Sequence, residues 1–238
     1  MMLLYLYAIN EKNLSDQFIT FLNDFDINKK YLEYDGLKFK NHPTSWIFFE
    51  SDDYFDKFNV KDRVVMDIGG NVGDTALKFA KFGANVYAFE PVPYLSEIAK
   101  ENINLNPEYK RKINFYNLAI SHKNGELTIY EDDYNSGGHS QFYENDNLKK
   151  HLVKAITIDD AIKKFDIKPD VLKIDCEGCE FNIILHSDLS LFNFIILEHH
   201  SEIVKKPCTL LTDKLKEQGF KIEIPNYSPK IGIIYAYK

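Results

Sequence analysis

One stretch limits the available folds more than any other: Val64-Val65-Met66-Asp67-Ile68 runs directly into Gly69-Gly70-Asn71-Val72-Gly73-Asp74. A β-branched and apolar strand enters a glycine-rich turn. A segment of helical period, residues 74–82, leaves it and stops at Gly83. Glycines let backbone pass close to a bound group, and a helix N-terminus presents unpaired N–H groups. Open α/β sheets bind ligands at such turns, beyond the carboxyl ends of their strands.

The same alternation continues along the chain. Strands are expected at 63–68, 85–89, 113–118, 171–174 and 194–197, with helices at 74–82, 94–105, 158–165, 180–186 and 208–218. Thr157 or Asp159 is the expected cap of the 158–165 helix. Residues 126–130 alternate and suit a hairpin arm. Residues 220–224 and 231–237 suit two strands joined by a Pro- and Asn-containing turn. Strands alternating with helices imply an α/β, doubly wound, Rossmann-like sheet, mostly parallel, closed by an antiparallel C-terminal edge hairpin. Residues 1–60 differ: helical spacing at 14–25, a hairpin signal around Asp35-Gly36, and an aromatic-rich helical stretch at 46–58. They are expected to form a small N-terminal cap, with residues 61–238 as the main domain.

Composition excludes some functions. With 238 residues, 45% of them hydrophobic and 27% charged, the chain can bury an ordinary core. A net charge of −7 disfavours a broad nucleic-acid surface. Residues 1–9 are apolar but too short to span a membrane. They lack a basic leader, so a cytoplasmic location is expected. Three cysteines, Cys176, Cys179 and Cys208, do not suggest a disulfide framework and fit a reducing compartment.

The ligand can be narrowed by charge. A dinucleotide site wants glycines where Asn71 and Asp74 stand, so the G-x-G-x-x-G pattern fails. Asp67 immediately precedes the turn, where a carboxylate would repel a pyrophosphate but attract a sulfonium and an amino group. The next strand ends in Phe89-Glu90-Pro91, and an acid there can accept both ribose hydroxyl protons of an adenosine. S-adenosylmethionine is therefore favoured over NAD. An NAD-dependent oxidoreductase, or a cofactor-binding protein without catalysis, is the alternative.

These residues carry a family resemblance over 64–199. Asp67-Ile68-Gly69-Gly70-Asn71-Val72-Gly73, Tyr87-Ala88-Phe89-Glu90-Pro91, Thr157-Ile158-Asp159-Asp160 and Leu172-Lys173-Ile174-Asp175-Cys176-Glu177-Gly178-Cys179-Glu180 resemble motifs of the FkbM-type S-adenosylmethionine-dependent methyltransferases. The last is similar to the family's KIDVEGAE pattern. The resemblance implies a seven-strand methyltransferase sheet and O-methylation of a sugar, lipid headgroup or small-molecule hydroxyl. It leaves the oligomeric state open. It implies cofactor contacts at Asp67, Gly69, Gly70, Asn71, Gly73, Asp74, Glu90, Pro91 and Val92. Val92 would pack on the adenine, with Ala119 on its other side. It also places Asp175 beside Asp67, facing the methyl group or the methionine amine, with Glu177 close by. The alternative is that Asp175 and Glu177 cap the following helix.

The remaining candidates are His199, a strand-end base for an acceptor hydroxyl, and His139, within the polar stretch 132–147 that could serve as a lid. Cys176 and Cys179 form a C-x-x-C pair that Cys208, His199 and His200 could complete as a zinc site. Both cysteines fall on motif positions that need no metal, so no metal and inert cysteines are expected.

Overall fold

The computed structural model describes residues 30–40, 57–131, 139–142 and 148–238. The helix expected at 14–25, residues 46–56 of the one expected at 46–58, and most of the 132–147 stretch lie outside the described residues. Strands β1 (Tyr31–Tyr34) and β2 (Leu37–Lys40) form the hairpin expected around Asp35-Gly36, with both turn residues at positive φ. The central sheet takes β3 (Val64–Ile68), β4 (Asn85–Phe89), β5 (Ile113–Tyr116), β10 (Val171–Ile174), β11 (Phe194–His200), β12 (Lys221–Glu223) and β13 (Ile231–Tyr237). Their order is β12-β13-β11-β10-β3-β4-β5. β3, β4, β5, β10 and β11 run parallel. β13 is antiparallel to both β11 and β12. The closing strands therefore do not simply extend the edge: β13 inserts between β11 and β12.

Helices α1 (Asp74–Lys81), α2 (Pro93–Leu105), α3 (Pro107–Lys110), α4 (Ile158–Phe165), α5 (Cys179–His186), α6 (Ser201–Val204) and α7 (Thr209–Glu217) complete the chain order. Strand pleating divides the core between two faces. Val65, Val86, Val171 and Ile196 point toward α1, where Leu77 and Phe79 meet them. Met66, Ile68, Leu172, Ile174 and Leu197 point the other way, against α4, α5 and α7 through Ala161, Phe181 and Leu211. The β1–β2 hairpin shares the first core through Leu32, Leu37 and Phe39. It is tied to α2 by Asn102 and Asn106. Their Oδ1 atoms accept the N–H groups of Lys40 at 2.6 Å and Lys38 at 2.9 Å.

A second sheet was not expected. β6 (Ala119–Ile120), β7 (Gly125–Glu131), β8 (His139–Ser140) and β9 (Lys149–Ile156) take the order β6-β9-β7-β8. The arm at 126–130 is its β7, paired antiparallel with β9. β9 opens Lys-Lys-His, which hides its apolar alternation until Val153 and Ala155, both buried. The strand expected at 113–118 breaks at Asn117 and passes into this second sheet.

Candidate active site

The parallel register builds the site before any loop does. Asp67 of β3 stands beside Lys173 of β10. Lys173 is in turn beside Ile196 of β11. Because side chains alternate, Asp67, Lys173, Asp175, Glu198 and His200 all belong to the α1 side of the sheet. Lys173, one cation in the apolar run Val171–Ile174, is 1% exposed. Its Nζ lies 3.1 Å from Asp67 Oδ1, donates to Gly69 O at 3.0 Å, and is 3.9 Å from Asp175 Oδ2. Burial alone would lower the lysine pKa, but Asp67, Asp175 and Asp74 outweigh it and raise it. Thr75 Oγ1 donates to the other Asp67 oxygen at 2.7 Å. Asp67 is thus fully buried with its charge already balanced. Its attraction for a sulfonium, expected from sequence, is largely spent on Lys173.

The turn itself needs its glycines. A Cβ on Gly69, at φ +81°, would sit 1.7 Å from Asp175 O, so β3 and the end of β10 can approach only with glycine there. A Cβ on Gly70 would come within 3.1 Å of the Phe115 ring, and one on Gly73 within 3.2 Å of Ala99, both closer than ordinary contact. Asn71 also has positive φ, and its Oδ1 is buried with no hydrogen-bond partner among the described residues. A buried amide oxygen without a donor is an orphan that a ligand can satisfy.

Glu90 closes the turn from the β4 side. Its Oε2 accepts the Asn71 N–H at 2.9 Å and its Oε1 the Val92 N–H at 2.8 Å. Burial pushes its pKa up to about 7, against those two hydrogen bonds and Lys173. Asp74, at the start of α1, is likewise pushed up to about 6 by burial, with Lys173 and Lys78 pulling the other way. Pro91 leads to Val92, the N-cap of α2. Val92 is fully buried and packs with Val72, Ala119, Ile129 and Val153. The second sheet thus packs over Val92.

Beyond β10 the chain turns sharply. Glu177 and Gly178 both have positive φ, and Gly178 is the N-cap of α5. Glu180, fully buried, accepts the Gly178 N–H on Oε2 at 2.9 Å and the His200 N–H on Oε1 at 2.7 Å. The His200 ring faces acids on both sides. Nδ1 is 3.4 Å from Glu180 Oε1, and Nε2 is 3.5 Å from Glu177 Oε2 and 4.0 Å from Asp175 Oδ1. Burial would lower the imidazole pKa, but Glu180, Glu177 and Asp175 raise it to about 10. Burial pushes Glu177 up to about 8, with Asp175, Glu198 and Glu180 adding to the rise and His200 opposing it.

Residues 67–222 match the family model described as the methyltransferase FkbM domain. The chain belongs to that family. Its fold is shared with the crystal structure of an FkbM methyltransferase from Methylobacillus flagellatus KT, at 17% identity and a TM-score of 0.54. That match covers 82% of this chain and 48% of the other, so the chain spans about half the length of that relative. A precorrin-6y C5,15-methyltransferase from Geobacter metallireducens matches at 14% identity, TM-score 0.46, over 90% of this chain and 99% of its own. Magnesium protoporphyrin IX methyltransferase from Synechocystis, solved with bound S-adenosylmethionine, matches at 16% identity, TM-score 0.43, over 82% and 76%. No curated protein matches in sequence. The family match makes this a methyltransferase FkbM domain.

In this FkbM domain the turn residues, Glu90 and Asp175 converge on the carboxyl end of the sheet. Two expectations need correction. His199 points to the opposite face from Asp175: its Nδ1 lies 3.0 Å from Ser201 Oγ and its Nε2 faces Gly232. The reason is pleat parity, which turns Glu198 and His200 toward the site instead. Cys176 and Cys179 are joined in a disulfide, with Cα atoms 5.4 Å apart across the turn that leads into α5. This spacing lies within the usual disulfide range. Cys208 is apart from them, a buried thiol at the N-cap of α7. His139 Nε2 lies 2.9 Å from Tyr94 Oη, while the neighbouring Ser140 Oγ donates to Glu177 O at 2.6 Å. β8 thereby bridges the α2 start and the β10–α5 turn. The sequence reasoning gave Lys173 and Glu180 no role beyond their place in the motif, and His200 only that of a possible zinc ligand. A lysine inside an apolar parallel strand was the available signal for the first, since a buried cation must be paired.

Proposed function

We propose that this domain binds S-adenosylmethionine at the 69–73 turn and transfers its methyl group to a hydroxyl of a carbohydrate or other small-molecule acceptor. One observation carries the reading: the glycine turn and Glu90 are locked together at the carboxyl end of β3 and β4, with a buried amide oxygen of Asn71 left without a donor. Glu90 would hold the ribose hydroxyls. Each of its oxygens accepts one backbone N–H, and a carboxylate oxygen has a second lone pair to offer. Asn71, through its unpartnered Oδ1, would hold the methionine end. The residues present suit this cofactor better than a dinucleotide, because Asn71 and Asp74 stand where a dinucleotide turn needs glycines.

The bound cofactor supplies an already activated methyl group, so the protein's part is placement. Asp175 and Glu177 lie past β10, next to the turn, where an acceptor hydroxyl would approach. His139 lies on the bridging strand and would bound the acceptor space. Nothing in the chain's charge favours a polyanionic acceptor, with a net charge of −7. Among the described residues no helix is long and apolar enough to cross a membrane.

Calorimetry with S-adenosylhomocysteine and with NAD tests the reading. Binding of the first and not the second is expected. Glu90→Ala should weaken S-adenosylhomocysteine binding by about tenfold to a hundredfold, since a hydrogen bond to a charged acceptor is worth roughly 1.5–3 kcal/mol. Binding of NAD alone would exclude a methyl-donor site.

A further inference from the structure

A second cluster lies past the turn, where β10 and β11 end. Ligand atoms of Asp175, Glu198 and His200 all lie within 4.8 Å of one another. The geometry of His200 is what distinguishes this group from an ordinary acidic surface. The residue is 3% exposed, and its ring Nδ1 faces Glu180 Oε1 at 3.4 Å. Behind the ring stands Glu180, wholly buried and fixed by two backbone N–H groups. The distances on either side of the ring, 3.4 Å from Nδ1 to Glu180 and 4.0 Å from Nε2 to Asp175, aim Nε2 into the carboxylates. A buried carboxylate behind one imidazole nitrogen, with further acids before the other, is the arrangement that orients metal-binding histidines.

We propose that Asp175, Glu198 and His200 bind a divalent transition ion, with Glu180 as the positioning residue for the imidazole. Two carboxylates and one imidazole suit Mn2+, Fe2+ or Zn2+. Ca2+ and Mg2+ favour all-oxygen shells. Two ligand atoms on one ion, each at about 2.1 Å, stand at most about 4.2 Å apart, so small movements of the half-buried Asp175 and Glu198 carboxylates complete the site. Three protein ligands leave positions open. If the methyl-donor reading holds, an open position faces the acceptor, whose hydroxyl proton the ion would loosen. The ion site rests on that reading for its purpose but not for its existence.

The test uses the full chain, freed of metal and titrated with Mn2+, with free ion followed by its electron paramagnetic resonance signal. One Mn2+ per chain is expected, displaced by Zn2+. Glu198→Gln and His200→Gln should each weaken Mn2+ binding by about tenfold or more. S-adenosylhomocysteine affinity should remain within about threefold, a change well under 1.4 kcal/mol. Absence of saturable Mn2+ binding, or binding undiminished in both variants, overturns the proposal. Should neither variant fold, amide relaxation in the 15N-labelled wild type decides: Mn2+ broadening centred on 174–178 and 198–201 upholds the site, and broadening centred elsewhere overturns it. Mn2+ binding by a chain that fails to bind S-adenosylhomocysteine upholds the ion site and removes the donor reading. The converse overturns the ion site alone.

Discussion

Replacing Lys173 by methionine tests whether one buried cation organises the end of the sheet. In Lys173→Met, Asp67 stays fully buried and keeps only the Thr75 hydroxyl, while Gly69 O loses its donor. Removing one partner of a buried ion pair costs about 3–5 kcal/mol, because the survivor is left uncompensated. For a chain of this size each kcal/mol lowers Tm by about 2–4 °C, so a fall of roughly 6–20 °C is expected. The double variant Asp67→Asn/Lys173→Met removes both charges and keeps a carbonyl for Thr75. It should recover most of the loss, giving a large coupling in the double-mutant cycle. Urea unfolding of the four proteins at pH 7 measures it. A Lys173→Met loss below about 1 kcal/mol, or a double variant no more stable than the single, would refute the reasoning.

Glu177 and His200, pushed up to about 8 and about 10, hold protons more tightly folded than unfolded, so their stabilisation is complete at low pH and is lost as pH rises. The urea midpoint of chelator-treated protein should therefore fall between pH 5 and pH 9, and Glu177→Gln should flatten the part below about pH 8; a wild-type midpoint constant over that span contradicts it. Asp175→Asn should keep S-adenosylhomocysteine affinity within about threefold. It should slow single-turnover methyl transfer by about tenfold to a thousandfold once an acceptor is identified; transfer at the wild-type rate would make Asp175 structural. Unreduced, denatured protein should titrate one thiol, Cys208, and reduced protein all three cysteines; three thiols before reduction would exclude the Cys176–Cys179 bond.

How far the sequence carried can be judged residue by residue. The strand entering Gly69, the turn and Glu90 were legible because their residue types are dictated by backbone: positive φ at Gly69 and Gly73, and an acid at a strand end. The α/β alternation followed from period. The second sheet was not legible, since β9 begins with charged residues that hide its alternation. His200 was passed over for His199 because composition names histidines and only register assigns them a side. Counting alternation from Asp67 through the β3–β10–β11 register selects residues 175, 198 and 200. Glu180 was hidden because its role is to accept two amides from other segments. The disulfide was discounted on cysteine number, although a spacing of three across a helix start brings two Cα atoms within bonding range.

Asn102 joins two parts of the molecule that sequence alone would separate. Its Nδ2 donates to Val72 O at 2.8 Å, inside the glycine turn, while its Oδ1 takes the Lys40 N–H of the β1–β2 hairpin. The main domain drawn from residue 61 would sever that relay and leave Asn102 half-engaged at the back of the turn. A fragment cut there would retain every motif residue of the FkbM pattern yet lose the buttress that holds the turn from behind. The hairpin therefore belongs to the heritable unit of the site. Chimeras exchanging N-terminal segments among such domains should carry the strand at 37–40 along with its asparagine partners, because the pairing is made across the junction and neither half contains it alone.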